Sequence, residues 1–479
     1  MRVCLTLQKL FCAFALLIVH AAASHAAAME RGAAITDPEL LRMLEQAGLG
    51  LAQLLDANSG NSSADLFALP SMTVVRDATD RDFSRYVVNH KNAPDNLILF
   101  DRDALNASGT RFDLAGIVNR MDRAYVSPEE CGEIRLIYRP VANHDSTSKA
   151  APPLRLPMTF NLVMKAKPAN ATVACTELAK RWLALSNAAP AGSTLEWITR
   201  KSIDRIELNI QVARKAADAN DFDGRADYLM KVFRLDLRTR RFEESPLENQ
   251  IDVERIRADP KLASEFRQWL LEPARLTDLD RGTIVLPDRF LATSVINETP
   301  PRVNTDANAR ELFSDDDVVT ALAKVSAAMP LQNILSPAGF ARRLNDITCS
   351  GCHQTRAVGG FHFPGREKSG PVPDSAVVAA ASPHFFGDQE RRRDILAAFR
   401  DGRLPDFSRG FSARPQQRRA TELAGTTYVN GWGAVCYPAS ANTAPDKSFS
   451  SWGCAEGLSC QATPGAKVTR TGFCFLKSE

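Results

Sequence analysis

The chain has 479 residues, 44% hydrophobic and 24% charged, with 59 Lys and Arg against 56 Asp and Glu. At roughly 100 to 200 residues per domain this length predicts two to four domains, and the composition excludes wholesale disorder, a collagen-like repeat and a membrane bundle. A formal net charge of +3 lacks the basic footprint of a nucleic-acid-binding protein, so no nucleic acid is expected as a partner.

Residues 1–26 read as a secretory signal peptide. Arg2 and Lys9 precede an apolar run from Leu10 to Ala23, and Ser24-His25-Ala26 fits a small-x-small cleavage signal, with Ala26-Ala27-Ala28 as the alternative. The run is shorter than the roughly 20 residues a spanning helix needs, which disfavours an anchor. Cys12 lies inside the run, so no lipid-attachment cysteine sits at the cleavage point. No membrane span is expected in the mature chain, and export to a bacterial periplasm or the medium is, where disulfides persist.

A first helix is signalled by Asp37 as N-cap, Pro38 in the first turn and a stripe of Leu40, Leu41, Leu44, Leu51, Leu54 and Leu55, broken by Asn58–Ser63. From about 96 to 244 strand signals dominate. Met158, Phe160, Leu162 and Met164 alternate with polar residues, as do Ile206, Leu208, Ile210 and Val212, and Phe233, Leu235 and Leu237. This predicts half-buried antiparallel strands, interrupted by a helix near 173–185 with Leu178, Trp182 and Leu185 on one face. Asp259-Pro260 opens another helix bearing Leu262, Phe266 and Trp269. Asn297–Asn304 reads as a linker. Ser314 before Asp315, Asp316 and Asp317 opens a helix rather than a metal site, because acids in a first turn suit the helix dipole. Ser336-Pro337 opens a further helix to about Asn345. The fold class expected is α+β.

Directly after that helix stands Cys349-Ser350-Gly351-Cys352-His353. Two thiols three residues apart on a helical turn project to one side, where each can add to one vinyl group of a porphyrin. The next residue, His353, then reaches the iron as proximal ligand. On this pentapeptide and its helical setting the chain resembles the c-type cytochromes. The resemblance implies one covalent haem c at Cys349 and Cys352, iron ligation by His353, and electron transfer or haem-linked redox chemistry with a redox partner protein.

Small c-type cytochromes commonly use a downstream methionine as sixth ligand, yet no methionine follows Met329. His362 and His384 are the downstream candidates for the distal metal position. An open position, an upstream methionine, a lysine, His90 and His144 are the alternatives, and an open iron would suit a peroxidase-like oxidoreductase. A third reading is a non-haem secreted interaction protein whose C-x-x-C is a disulfide. The helix before the pair disfavours a thioredoxin-like motif, and the spacing of His362 and His384 matches no compact zinc motif. No catalytic set is recognisable elsewhere.

Weaker signals have plain readings. Nine arginines and three aspartates between Arg391 and Ala420 read as a solvated helix and tail, with contact to haem propionates or an acidic partner as the alternative. Arg356 and Arg366 are nearer candidates for propionate pairing. Asp218–Asp227 fails the calcium-loop pattern, and Ser146–Lys149 reads as a loop. Cys436, Cys454, Cys460 and Cys474 crowd a polar C-terminal segment that cannot bury much core, which predicts two disulfides in one of three connectivities, serving either partner contact or a clamp. Cys131 and Cys175 are the remaining pair, worth about 4 kcal/mol if bridged. The organisation expected is a signal peptide (1–26), an α+β domain of unassigned role (29–300), a mostly helical haem segment (301–425) and a disulfide module (426–479).

Overall fold

Asp37 accepts the amide of Leu40 at 2.8 Å and Pro38 takes the first helical position, so α1 (Pro38–Leu44) starts where cap chemistry places it. The computed structural model describes residues 34–349 and 388–477, apart from 57–59, 61, 90–96, 99–101, 143–153, 168–172, 186–194, 196, 215–224, 300–306, 326–329, 413, 415–424, 426–428, 439–445 and 463–471. The signal-peptide reading falls outside these residues. The single helix expected from Asp37 to Leu55 is divided. A π-helical turn, Glu45–Leu49, carries Gly48 at φ 114°, a backbone state that glycine adopts without penalty, and α2 (Leu51–Leu55) follows. Ser62 then forms a reciprocal capping box with Asp65 to begin α3 (Ser63–Ala68), and α4 (Thr73–Asn89) follows.

The strands form one antiparallel sheet. They are β1 (Ala34–Ile35), β2 (Leu97–Ile98), β3 (Thr110–Arg120), β4 (Glu133–Ala142), β5 (Leu154–Arg155), β6 (Met158–Lys165), β7 (Ile203–Arg214), β8 (Arg225–Asp236), β9 (Arg241–Ser245) and β10 (Ser294–Thr299). The main order is β1-β3-β4-β6-β7-β8-β10, with β2 on β7, β5 on β4 and β9 on β8. Leu136, Leu162, Ile206 and Phe233 meet across four strands on the inner face, as the period-two pattern requires. Helices α1–α4 and α5 (Cys175–Ala184) pack on that face, burying Leu41, Met72, Tyr86, Leu178 and Trp182. Each such side chain contributes about 1.5–3 kcal/mol, so this core carries most of the stability of the unit.

The outer face is not the solvated surface that alternation suggests. Glu133, Arg139 and Thr159 are buried there, and Val232 lies opposite Glu207 in register. Polar residues survive under cover because they are paired with one another. The linker expected at Asn297–Asn304 also begins later, since Asn297, Glu298 and Thr299 pair with Tyr228, Asp227 and Ala226 as the end of β10.

A second apolar core joins α6 (Val253–Ala258), α7 (Pro260–Leu270), α8 (Pro273–Arg281), α9 (Asp315–Ala323) and α10 (Pro337–Asp346) around Phe266, Phe290, Phe313 and Phe340. Asp259, Ser314 and Ser336 cap α7, α9 and α10 as their sequences predict. This core runs from Ile251 to Ile347, so it draws on both sides of the boundary expected at residue 300. The last helix, α11 (Gln389–Arg400), returns to the sheet unit, where Leu396 joins the inner core. At the C-terminus β11 (Val435–Cys436), β12 (Leu458–Ala462) and β13 (Gly472–Leu476) form a small sheet in the order β11-β13-β12. The architecture is thus α+β with an antiparallel sheet, and among the described residues no helix is long and apolar enough to cross a membrane.

Candidate cofactor-attachment site

The helix that leads into the C-x-x-C-H motif is held at both ends. At its start, the Ser336 hydroxyl accepts from Gly339 N–H at 3.0 Å and donates to the Asp446 carboxylate at 2.8 Å. Ser448 Oγ accepts the Leu335 amide at 2.9 Å. Arg414, fully buried, donates to the carbonyls of Val435, Ser451 and Gly453, while Phe411, Phe449 and Trp452 pack beside Ala338. The cystine-rich module is therefore a clamp on α10. Its bridges are Cys436–Cys460 and Cys454–Cys474.

At its other end, Arg343 is wholly buried and donates to the carbonyls of Asp280 (2.7 Å), Arg409 (2.9 Å) and Gly410 (2.9 Å), with its guanidinium over the Phe411 ring. Asp346 receives the Ser412 amide at 2.7 Å. The Asp280 carboxylate in turn accepts three successive amides, from Gln332, Asn333 and Ile334. Buried charges persist in this way only where their hydrogen bonds are met. Thr348 closes the helix onto the Asn345 carbonyl at 3.0 Å, and Cys349 follows.

Cys349 is half-buried against the outer face of the sheet. Its Sγ lies 3.6 Å from the Glu248 carbonyl oxygen, to which a thiol donates. Beside it Tyr228, Met230, Val232 and Leu247 form a compact apolar cluster, joined by Val295 from β10. Burial pushes the Tyr228 hydroxyl above its ordinary range. The flank is ionic. The Glu248 carboxylate pairs with Arg123, whose Nε lies 3.0 Å from Glu133. Arg135 and Arg205 each reach Glu133 at 2.7 Å and also hold Glu207. Burial works to raise the Glu133 carboxyl, but Arg135, Arg205 and Arg123 together hold it well below the usual carboxylate range. On the far side Arg391 bridges Asp122 (2.8 Å) and Asp388 (2.7 Å), and Arg392 reaches Asp388 at 2.7 Å. The basic helix is thus not a solvated face at Arg391 and Arg392, because their acidic partners lie within the chain.

A covalent haem requires two thiols outside structural bridges. Cys131 bonds to Cys175, and with the two module bridges this takes six of the eight cysteines that follow residue 26. Cys349 and Cys352 are the two that lie outside those bridges. Thiol supply and the apolar lining beside Cys349 both fit an apolar macrocycle. Cys352, His353, His362 and His384 lie outside the described residues, as do His90, His144, Met329, Arg356, Arg366, Ser146–Lys149 and the first part of the 218–227 loop.

Sequence reasoning missed Glu248, the cluster Tyr228, Met230, Val232 and Leu247, and the Arg343–Asp280 anchor. One signal was present. In the run Tyr228-Leu229-Met230-Lys231-Val232-Phe233 both alternating sets are largely apolar, the mark of a strand covered on two sides. No protein-family model, curated protein or solved structure matches the chain.

Proposed function

We propose that this chain is an exported haem protein of c type, with one haem held covalently by Cys349 and Cys352, His353 as proximal ligand, and a role in electron transfer or haem-linked redox chemistry. The observation that carries the reading is the C-x-x-C-H run itself, placed immediately after an anchored helix and containing the two cysteines that the three bridges do not use. In attachment, each thiol adds across one vinyl double bond, sulfur to one carbon and hydrogen to the other, so no atom is lost and no electron is transferred. When bound, the group supplies a one-electron iron couple. The chain's own part is positional. Arg343, Asp346 and Asp280 fix the end of α10, and the Glu248 carbonyl orients the Cys349 thiol. The basic and apolar start of the chain supports export, which suits both haem attachment and the cystines.

The test is the purified mature protein made in a host with haem-attachment machinery. A pyridine haemochrome spectrum of thioether type and an intact mass raised by one porphyrin are expected, both lost in Cys349→Ser/Cys352→Ser. A colourless wild-type protein of apoprotein mass refutes the proposal. Carbon monoxide added to the reduced protein reports the sixth position. A changed spectrum means an exchangeable site, and an unchanged one means a side chain fills it, with His362→Ala and His384→Ala then separating the two candidates by conversion to high spin.

A further inference from the structure

We propose that the outer face of the large sheet is one wall of the haem site, with Tyr228, Met230, Val232 and Leu247 packed on the ring edge that Cys349 holds. This rests on the reading of Cys349–His353 as an attachment motif, and assigns the N-terminal unit a part in the cofactor environment. The first step is covalent. A thioether carbon is one bond from Sγ and the pyrrole ring two, so the groups that line Sγ also line the ring edge. Those groups are the Glu248 carbonyl, 3.6 Å away, and the cluster of Tyr228, Met230, Val232 and Leu247, all at most 8% exposed.

The second step concerns where the apolar residues stand. On the same face β4 presents Glu133 and Arg135, and β7 presents Arg205 and Glu207. On β8 the face changes character at Met230 and Val232, which lie opposite Asn209 and Glu207 in register. Leu247, from the loop after β9, and Val295 on β10 complete the patch where Cys349 meets the sheet. The other apolar cluster on this face, Ala34, Ala115, Val118 and Ile137, lies at the β1–β3–β4 end, so of the two it is the β8 patch that can meet a ring edge held by Cys349.

The third step is rigidity. Cys349 follows a helix locked by Arg343, Asp346 and the C-terminal clamp, so its sulfur stays on this wall. An apolar wall lowers the local dielectric and disfavours the more highly charged oxidised iron, which raises the reduction potential. A hydroxyl introduced there lowers it.

The experiment is a spectroelectrochemical titration of the mature holoprotein, wild type against Val232→Thr and Leu247→Ala. At the wild-type midpoint, Val232→Thr is expected to lower the reduced-to-oxidised ratio at least threefold. Leu247→Ala, which admits water, shifts it in the same direction. Val319→Thr, at a 53% exposed position on α9, is the control and leaves the ratio unchanged. Far-ultraviolet circular dichroism melts establish that each variant is folded. Met230→Leu preserves volume and so folding, and its altered Soret dichroism reads wall contact without a potential. Unmoved ratios and an unmoved Soret signal in folded, haem-stained wall variants overturn the wall and leave the haem reading intact. A wild type without a porphyrin adduct overturns both.

Discussion

Arg205→Met tests whether the buried ion network on the outer face is held together as the geometry requires. Arg205 reaches Glu133 at 2.7 Å, Glu207 at 2.7 Å and Asp204 at 3.0 Å, and its side chain is only 11% exposed. Removing one partner of a buried pair costs about 3–5 kcal/mol, chiefly by leaving a charge uncompensated. Here the lower end applies, about 3 kcal/mol, because Arg135 and Arg123 remain on Glu133. For a unit of this size that is a fall of roughly 6–12 °C in Tm at pH 7. The pH dependence has a definite sign. The Glu133 and Glu207 carboxyls are depressed in the folded state. Their stabilisation is fully present above the unfolded pKa of about 4.3 and is lost as pH falls through the lower folded values. The gap between wild type and variant is therefore widest near neutrality and closes in acid. Thermal melts followed by circular dichroism between pH 7 and pH 3 measure it. A variant with wild-type Tm at pH 7, or a gap that widens on acidification, refutes the reasoning. Arg205→Met/Glu133→Gln removes the excess negative charge, leaves Arg135 on Glu207 and Arg123 on Glu248, and recovers most of the loss.

Two further predictions concern the bridges and the clamp. Cys131→Ala/Cys175→Ala opens a bridge with a sequence separation of 44, for which the chain-entropy relation gives about 4 kcal/mol, so denaturant melts are expected to lose that much stability while the far-ultraviolet circular dichroism of the folded state is unchanged. An unchanged midpoint means the bridge constrains nothing. At Gly339 an added Cβ would run into the Ser448 side chain, so Gly339→Ala is expected to cost about 1–3 kcal/mol and to speed proteolysis of the C-terminal module. Equal proteolysis rates for Gly339→Ala and wild type would show that the contact at Ser448 does not hold the clamp.

What the sequence revealed was local, and what it hid was long-range. The caps Asp37, Asp259, Ser314 and Ser336 are legible because a side-chain oxygen satisfying amides two or three residues on is a short-range matter. The inner faces of β6 and β7 are legible because period two survives any topology. Helix α4 was not assigned, since its buried residues Val75, Ala78, Phe83 and Tyr86 are thinly spread among charges. The clamp was left open between two readings because Ser336 and Asp446 are 110 residues apart, and nothing in either neighbourhood names the other. The outer face was misjudged for the same reason. Glu133, Arg135, Arg205 and Glu207 look like solvated residues one strand at a time. Only the register, which sets them beside each other and beneath Arg123, turns them into a buried network.

That network asks for an explanation other than stability. Buried ion pairs often gain little over apolar residues of the same size, so the inner core has the better claim to holding the unit together. What arginine adds is geometry, because its planar fork meets carboxylates only in restricted directions, whereas aliphatic contacts tolerate slip. The charged residues come from segments far apart in sequence, namely 120–123, 133–135, 204–207, 248 and 388–392. Two of these matter most. Residue 248 touches Cys349 through its carbonyl, and Asp388, with Arg391, ties the start of α11 to Asp122. The N-terminal unit thereby fixes the chain on both sides of the stretch that contains His353, His362 and His384. If the network serves registration, Arg205→Met/Glu133→Gln regains its melting temperature yet, on the proposed haem reading, shows a broadened potentiometric transition, since Cys349 no longer rests on a single geometry. A sharp, wild-type transition in that stable double variant would reduce the network to surface chemistry that happens to be covered.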